Sequence, residues 1–244
     1  MYGVYYFDFL KTLSVDLKDA LDGLPVTPLD ATALSSLRTA QAQNQTPQGV
    51  YVVHYNGHPV YVGKANDVSD RLGQHLQKLS GRIGIDLFQV GYKALLLDAS
   101  MSTAANEDLL ISIFRSNHLN MWNGTGFGPK DPGQNRDTTA PGWFDRTHPI
   151  KVNFPVNLVA YSPILLRDLL VSLKAQLPFV FRYDVPRAEL NQIINLNGIN
   201  PDARSLLQAV VTFLGAGWKG AVLSYGMVLY KTTKQYPFGE EIVP

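Results

Sequence analysis

The stretch running Gly49-Val50-Tyr51, then Val60-Tyr61-Val62-Gly63-Lys64-Ala65, then Arg71 and His75 gathers two phenols, a guanidinium and an imidazole in one short segment. Brought to a single surface, such groups can meet one phosphate: the cation neutralises its oxygens, and a phenol or an imidazole moves a proton. Phosphodiester hydrolysis is the chemistry these residue types suggest. Whether they share a surface depends on a hairpin and on the helix that follows it.

The register of the hairpin decides the first half of that question, because residues facing each other across an antiparallel pair point to the same side. A two-residue Asn56-Gly57 turn would pair Val52 with Tyr61 and send the tyrosines to opposite faces. A three-residue Tyr55-Asn56-Gly57 loop, with Gly57 left-handed in a bulge, pairs Val52 with Val60, Val50 with Val62 and Tyr51 with Tyr61. The second register sorts valines to one face and tyrosines to the other, and it is the one expected here. An ordinary hairpin with a valine core face and two surface tyrosines has the same spacing.

The helix begins near Asp67, a suitable N-cap, with Asp70 in the first turn. Val68, Leu72, Leu76 and Leu79 recur at helical spacing and should pack. Arg71, His75 and Lys78 form a second stripe, expected to meet solvent or a ligand.

With these residues in view, the chain resembles the GIY-YIG nuclease superfamily, whose two tripeptides stand here as Gly49-Val50-Tyr51 and Tyr61-Val62-Gly63. The family pattern continues with an Arg on the first helix, matched by Arg71, and a Glu on a later helix, matched by Glu107 ahead of the apolar run Asp108 to Phe114. It ends with an Asn, matched by Asn120, although Asn123 competes for that place. Five positions in the right order are a specific signal where either tripeptide alone is weak.

A narrower resemblance follows downstream, in Gly126-Phe127-Gly128-Pro129-Lys130-Asp131-Pro132-Gly133-Gln134-Asn135-Arg136 and in Trp143-Phe144-Asp145-Arg146-Thr147-His148-Pro149. Together with His75, these resemble the type II restriction endonuclease branch of the superfamily, whose known members cut a GC-rich palindrome such as CCGCGG. The likeness covers about residues 20–150. It implies that Glu107 holds one Mg²⁺ or Mn²⁺, which polarises the phosphate and steadies the leaving 3′ oxygen. Arg71 would clamp a nonbridging oxygen, Tyr61 would orient water or phosphate, and Asn120 would brace the site. For the general base, Tyr51 requires that a phenol of pKa near ~10 be lowered by Lys64, Arg71 and the metal, whereas His75 offers an imidazole, a group whose ordinary pKa lies near neutrality. Both remain open. The partners implied are double-stranded DNA, a second copy of the chain in a homodimer, and a cognate DNA methyltransferase encoded nearby. A non-sequence-specific or structure-selective nuclease of the same superfamily, acting in repair or phage defence, would share every core residue, and an inert DNA-binding module is a further reading.

Composition is compatible with all of these. Of 244 residues, 21 are Lys or Arg and 20 are Asp or Glu, so binding driven by net charge alone is not expected. The absence of cysteine excludes a disulfide framework, a Cys-type zinc site and a thiol nucleophile. No run approaches the ~18 apolar residues of a membrane span, and the start, Met1-Tyr2-Gly3-Val4-Tyr5-Tyr6-Phe7, lacks a basic leader. A cytoplasmic protein with no membrane partner is expected.

The fold expected is α+β: a small GIY-YIG-type antiparallel sheet flanked by helices, an N-terminal extension, a long DNA-reading loop and an additional α/β C-terminal region. Residues 1–48 form the extension, with an aromatic strand at its start, a helix from Asp30 and a polar connector over Gln41 to Gln48. Residues 49–150 hold the core, with a third strand in Tyr92 to Leu97. The Gly- and Pro-rich loop between Asn120 and Pro149 offers Lys130, Gln134, Asn135, Arg136 and Arg146 as DNA contacts. Residues 151–244 should supply recognition, dimerisation or regulation through a helix over Ile164 to Leu177, a helix opened by Asn200-Pro201 and ending near Leu214, and a strand from Ala221 to Tyr230.

Overall fold

The computed structural model describes residues 3–4, 8–117, 121–128, 133–158 and 163–244. The chain is α+β and divides into two compact units, one of Met1–Leu76 with Asp86–Gly128, the other of Gln77–Ile85 with Pro129–Pro244. Asn120, Lys130 and most of the N-terminal aromatic run fall outside the described residues.

The first unit opens with α1 (Phe9–Gly23), β1 (Thr27–Pro28) and α2 (Ala31–Asn44), and continues through the hairpin β2 (Gly49–Tyr55) and β3 (His58–Ala65). Helix α3 (Val68–Ser80), whose residues from Gln77 on belong to the second unit, β4 (Val90–Leu96), α4 (Ala99–Ala104) and α5 (Glu107–Asn117) follow. Its sheet has four antiparallel strands in the order β1-β4-β2-β3. Helix α1 was not expected from the sequence, although Leu13, Leu17 and Leu21 recur one turn apart along it. They pack with Val50, Val52 and Val62 of the hairpin and with Leu110 and Phe114 of α5. Asp8 caps α1 by accepting from the Lys11 backbone N–H, and Asp30 caps α2 in the same way through Ala33. Helix α2 runs into the segment expected to be a polar connector and ends at Asn44, where Gln45 adopts a left-handed conformation with φ 51°.

The hairpin register differs from the one expected, and the difference has a clear cause. Asn56 and Gly57, with φ of 51° and 77°, form a two-residue turn that pairs Tyr55 with His58 and His54 with Pro59. A bulge then shifts the ladder between Val53 and His54, so that Val53 faces Tyr61, Val52 faces Val62 and Tyr51 faces Gly63. One extra residue reverses the alternation set by the turn. Tyr51 and Tyr61 therefore share a face as diagonal neighbours rather than directly opposite each other.

The second unit contains α6 (Trp143–Thr147), β5 (Ile164–Leu165), α7 (Leu166–Gln176), β6 (Val180–Asp184), α8 (Arg187–Leu190) and β7 (Ile193–Ile194). Helix α9 (Ala203–Leu214) and strands β8 (Trp218–Leu223), β9 (Gly226–Lys231) and β10 (Gly239–Ile242) complete it. The sheet β10-β8-β9-β6 is mixed, β6 and β9 being parallel. Its core joins Leu166, Leu169, Leu170 and Leu173 of α7 to Leu206, Leu207 and Val210 of α9.

Four sequence expectations change in this unit. The N-cap of α9 is Asp202, which accepts from the Ser205 backbone N–H at 2.9 Å, so Asn200-Pro201 precede the helix rather than open it. The strand expected over Ala221 to Tyr230 is a hairpin of β8 and β9, turning at Ser224 and Tyr225. The helix expected from Ile164 starts at Leu166, because Ile164 and Leu165 pair with β7 instead. The segment expected as one long loop carries a 3₁₀ turn at Gln134–Thr138 and the short helix α6.

Candidate active site

The tyrosine face of the β2–β3 hairpin meets the N-terminal part of α3, and the two elements bring four expected residues together. Asp67 caps α3, accepting from the Asp70 backbone N–H at 2.9 Å and from Ser69 Oγ at 2.9 Å. Val68 and Leu72 bury one stripe of the helix. Arg71 and His75, one turn apart, face the tyrosines. Of the stripe expected to meet solvent or a ligand, His75 does not meet solvent, since it is 1% exposed. Its Nε2 shares a hydrogen bond of 2.8 Å with Tyr51 Oη, and its ring centroid lies 5.0 Å from that of Tyr61.

The glycines of the two tripeptides have separate steric reasons. A Cβ at Gly63 would overlap the Tyr51 phenol, which lies across the glycine's backbone. At Gly49 a Cβ would overlap the Leu95 carbonyl of the adjacent strand. Gly63 thus makes room for the Tyr51 ring, and Gly49 makes room for the sheet.

Strand β3 is an edge of its sheet, and Asn123 completes that edge. The Val62 backbone N–H donates to Asn123 Oδ1 at 3.0 Å, and Asn123 Nδ2 donates back to the Val62 carbonyl at 2.8 Å. A side-chain amide here does what a neighbouring strand would do, fixing the peptide between Tyr61 and Gly63. Arg115 from α5 holds Asn123 in turn, donating from Nη2 to its carbonyl at 2.5 Å. Asn123, the competitor of Asn120, is therefore a bracing residue by its contacts.

Sequence reasoning missed the turn at Gly126, Phe127 and Gly128. Gly126 and Gly128 have φ of 120° and 113°, conformations that L side chains rarely adopt. Between them Phe127 is buried, stacked on His75 with centroids 4.8 Å apart and edge-on to Tyr61 at 5.2 Å. The Gly128 carbonyl accepts from Arg71 Nη2 at 2.7 Å. One tripeptide thus touches Tyr61, Arg71 and His75. The alternate-glycine spacing was the available signal.

Glu107 is the first residue of α5, in a helix N-terminus capped by Asn106, which accepts from the Leu109 backbone N–H at 3.1 Å. Burial raises its carboxyl above the usual range; the Lys64 backbone N–H and the Arg71 charge pull it down, while Asp108 pushes it up. Lys64 does not join the phenols. It pairs with Val50 on the valine face and donates from Nζ to the Ala105 carbonyl at 3.0 Å. Among the chain's own groups, burial pushes the Tyr51 phenol well above its ordinary value, Tyr61 adds to this, and Arg71 offsets only part. Tyr61 is raised by burial as well, against Arg71.

The residues suit one kind of metal ion better than another. Among the described residues no group of three His, Cys, Asp or Glu side chains converges on a point. A lone, partly exposed carboxylate at Glu107 fits Mg²⁺, which keeps several waters, and does not fit a fully protein-ligated ion such as structural zinc.

Of the side chains expected to contact DNA, Gln134, Asn135 and Arg146 are exposed in the second unit. Arg136 is held: it forms an ion pair with buried Asp145 and lies over the Tyr225 ring at 5.0 Å. Asp145 also faces buried Arg82 at 3.1 Å, and Arg82 donates to the His148 and Ser224 carbonyls at 3.0 and 2.9 Å. No model of a known protein family matches the chain, and no curated protein matches it.

Proposed function

We propose that this chain is a metal-dependent deoxyribonuclease of the GIY-YIG type, cutting double-stranded DNA at a short specific site as type II restriction enzymes do. The observation that carries the reading is the buried Tyr51–His75 hydrogen bond of 2.8 Å, set beside Tyr61, Arg71 and Glu107. A structural tyrosine needs neither an imidazole partner nor a guanidinium within reach of its oxygen.

The chain's own residues divide the work as follows. Tyr51 Oη takes a proton from the attacking water while its own proton passes to His75 Nε2, so the high phenol pKa is no obstacle and both base candidates serve in one relay. Tyr61 Oη directs the water toward phosphorus. Arg71 turns its donors to a nonbridging oxygen, whose charge grows in the transition state. Glu107 would hold one Mg²⁺ or Mn²⁺, which when bound supplies Lewis-acid stabilisation of the phosphate and the departing 3′ oxygen. Cleavage breaks the P–O3′ bond and leaves a 5′ phosphate and a 3′ hydroxyl.

The test is digestion of a defined plasmid in Mg²⁺. Discrete bands are expected. A smear would favour a nuclease without sequence preference, and intact plasmid at every concentration and with every divalent ion would overturn the reading.

A further inference from the structure

The second unit contains a cleft of about 310 Å³ that the nuclease chemistry does not use. It opens where β6 and β9 end side by side: these strands run parallel, Asp184 pairs with Tyr230, and the next residue of β9, Lys231, lies on the rim. The carboxyl ends of parallel strands are where open α/β sheets usually bind ligands, because the chains diverge there into loops. The volume lies at the lower end of the range for small-molecule pockets.

Its polar groups are incompletely matched. Tyr230 Oη is buried without a hydrogen bond of good geometry, although Arg182, by its charge and as a donor, and the Gln134 amide both reach toward it. On the floor, Asp137 is already engaged, in an ion pair with Arg182 and accepting from Tyr225 Oη at 2.5 Å. The lining therefore offers a fixed acid on the floor, a phenol with unused hydrogen-bonding capacity, the Gln134 amide and Asp184 at the sides, and Lys231 and Lys234 at the mouth. Gln134 belongs to the same 3₁₀ turn as Arg136.

We propose that this cleft binds a single deoxynucleotide, its base directed inward against Tyr230 and Gln134 and its phosphate held by Lys231 and Lys234. An amide can meet a base edge through a donor and an acceptor at once, a phenol can serve as either, and two ammonium groups suit a phosphate. A bare anion would leave the uncharged groups unused. An apolar ligand would strip water from the Gln134 amide without replacing its hydrogen bonds. The inference deepens the nuclease reading if the nucleotide is one swung out of bound DNA. A free nucleotide presents the same chemistry.

The experiment titrates the full-length protein with dAMP, dGMP, dCMP and TMP, and with 2-deoxyribose 5-phosphate and inorganic phosphate as controls, by calorimetry. At least one nucleotide should bind tenfold or more tighter than either control. Gln134→Ala and the Lys231→Ala/Lys234→Ala double variant should each weaken it at least tenfold, whereas Arg71→Ala, in the other unit, should not. Equal binding of the controls, or no binding of any nucleotide together with unchanged 2-aminopurine fluorescence at every position of a bound duplex, overturns the proposal. If a nucleotide binds and 2-aminopurine brightens on DNA binding, the source is the DNA; if it binds without brightening, the source is the free nucleotide. Nucleotide binding by a chain that cleaves no DNA would leave the cleft standing and remove the nuclease reading.

Discussion

Arg71 is the residue whose role is most open to a kinetic test. In the resting arrangement its donors are occupied by the Gly128 carbonyl and by Gln74 Oε1, at 2.7 and 3.1 Å. A phosphate must compete with these neutral acceptors, and it strengthens its own claim only as charge builds in the transition state. Arg71→Ala should therefore lower turnover by about 10²-fold or more while changing DNA affinity little; single-turnover rates set beside binding isotherms check this, and an equal loss in both would make Arg71 a positioning contact. Glu107 gives a pH prediction. Its carboxyl titrates above the usual range, so the neutral form, which binds a cation poorly, persists to higher pH than for an ordinary glutamate. Activity should fall as pH drops through that raised value. Proton and metal compete for the same oxygens, so the acid limb of the kcat/KM profile should move to lower pH as Mg²⁺ rises. A limb that stays fixed across Mg²⁺ concentrations would point to another group.

Among the elements, the β2–β3 hairpin shows how far local pattern reaches. Alternation of valine and tyrosine was legible but led to a three-residue loop as the expected turn, whereas the chain keeps the two-residue Asn56-Gly57 turn and restores the alternation with a bulge that leaves no residue-type signature in Val60 or Pro59. The Asp67 cap and the Val68–Leu72 stripe of α3 were legible because both rules are local. The stacking of Phe127 on His75 was not, since it joins segments more than fifty positions apart in sequence. Two glycine substitutions separate site from scaffold. Gly63→Ala should displace Tyr51 and abolish cleavage with modest loss of stability, whereas Gly49→Ala, which meets a backbone carbonyl that cannot rotate away, should cost about 1–3 kcal/mol. Thermal unfolding and plasmid cleavage on both variants check this. Similar stability losses in the two, with activity retained in Gly63→Ala, would remove the link between that glycine and the phenol.

Over the whole molecule, the proposed nuclease would have one set of catalytic candidates per chain to serve two DNA strands. Two cuts then need two chains or two successive turnovers, and two chains related by a two-fold axis read a palindrome. Sedimentation on a cognate duplex should show two chains per site; one chain per site with stable nicks would exclude the dimer. In the second unit, Arg136 lies in a network with Asp145, Arg82 and Tyr225, an arrangement that its surroundings in sequence did not announce because Arg82 and Tyr225 come from distant segments. Arg136→Ala should therefore lower the melting temperature as well as any site preference, and base discrimination has to be measured at matched folded fractions. The nuclease reading itself is tested most directly by DNA cleavage with Glu107→Gln beside the unaltered chain, both in Mg²⁺ and both shown to bind the same duplex. The expected result is cleavage to 5′-phosphate ends by the unaltered chain, and binding with at least a 10²-fold loss of cleavage in the variant, the scale on which losing a transition-state interaction is felt. Equal cleavage by the two proteins would contradict the assignment of Glu107 and the one-metal site built on it.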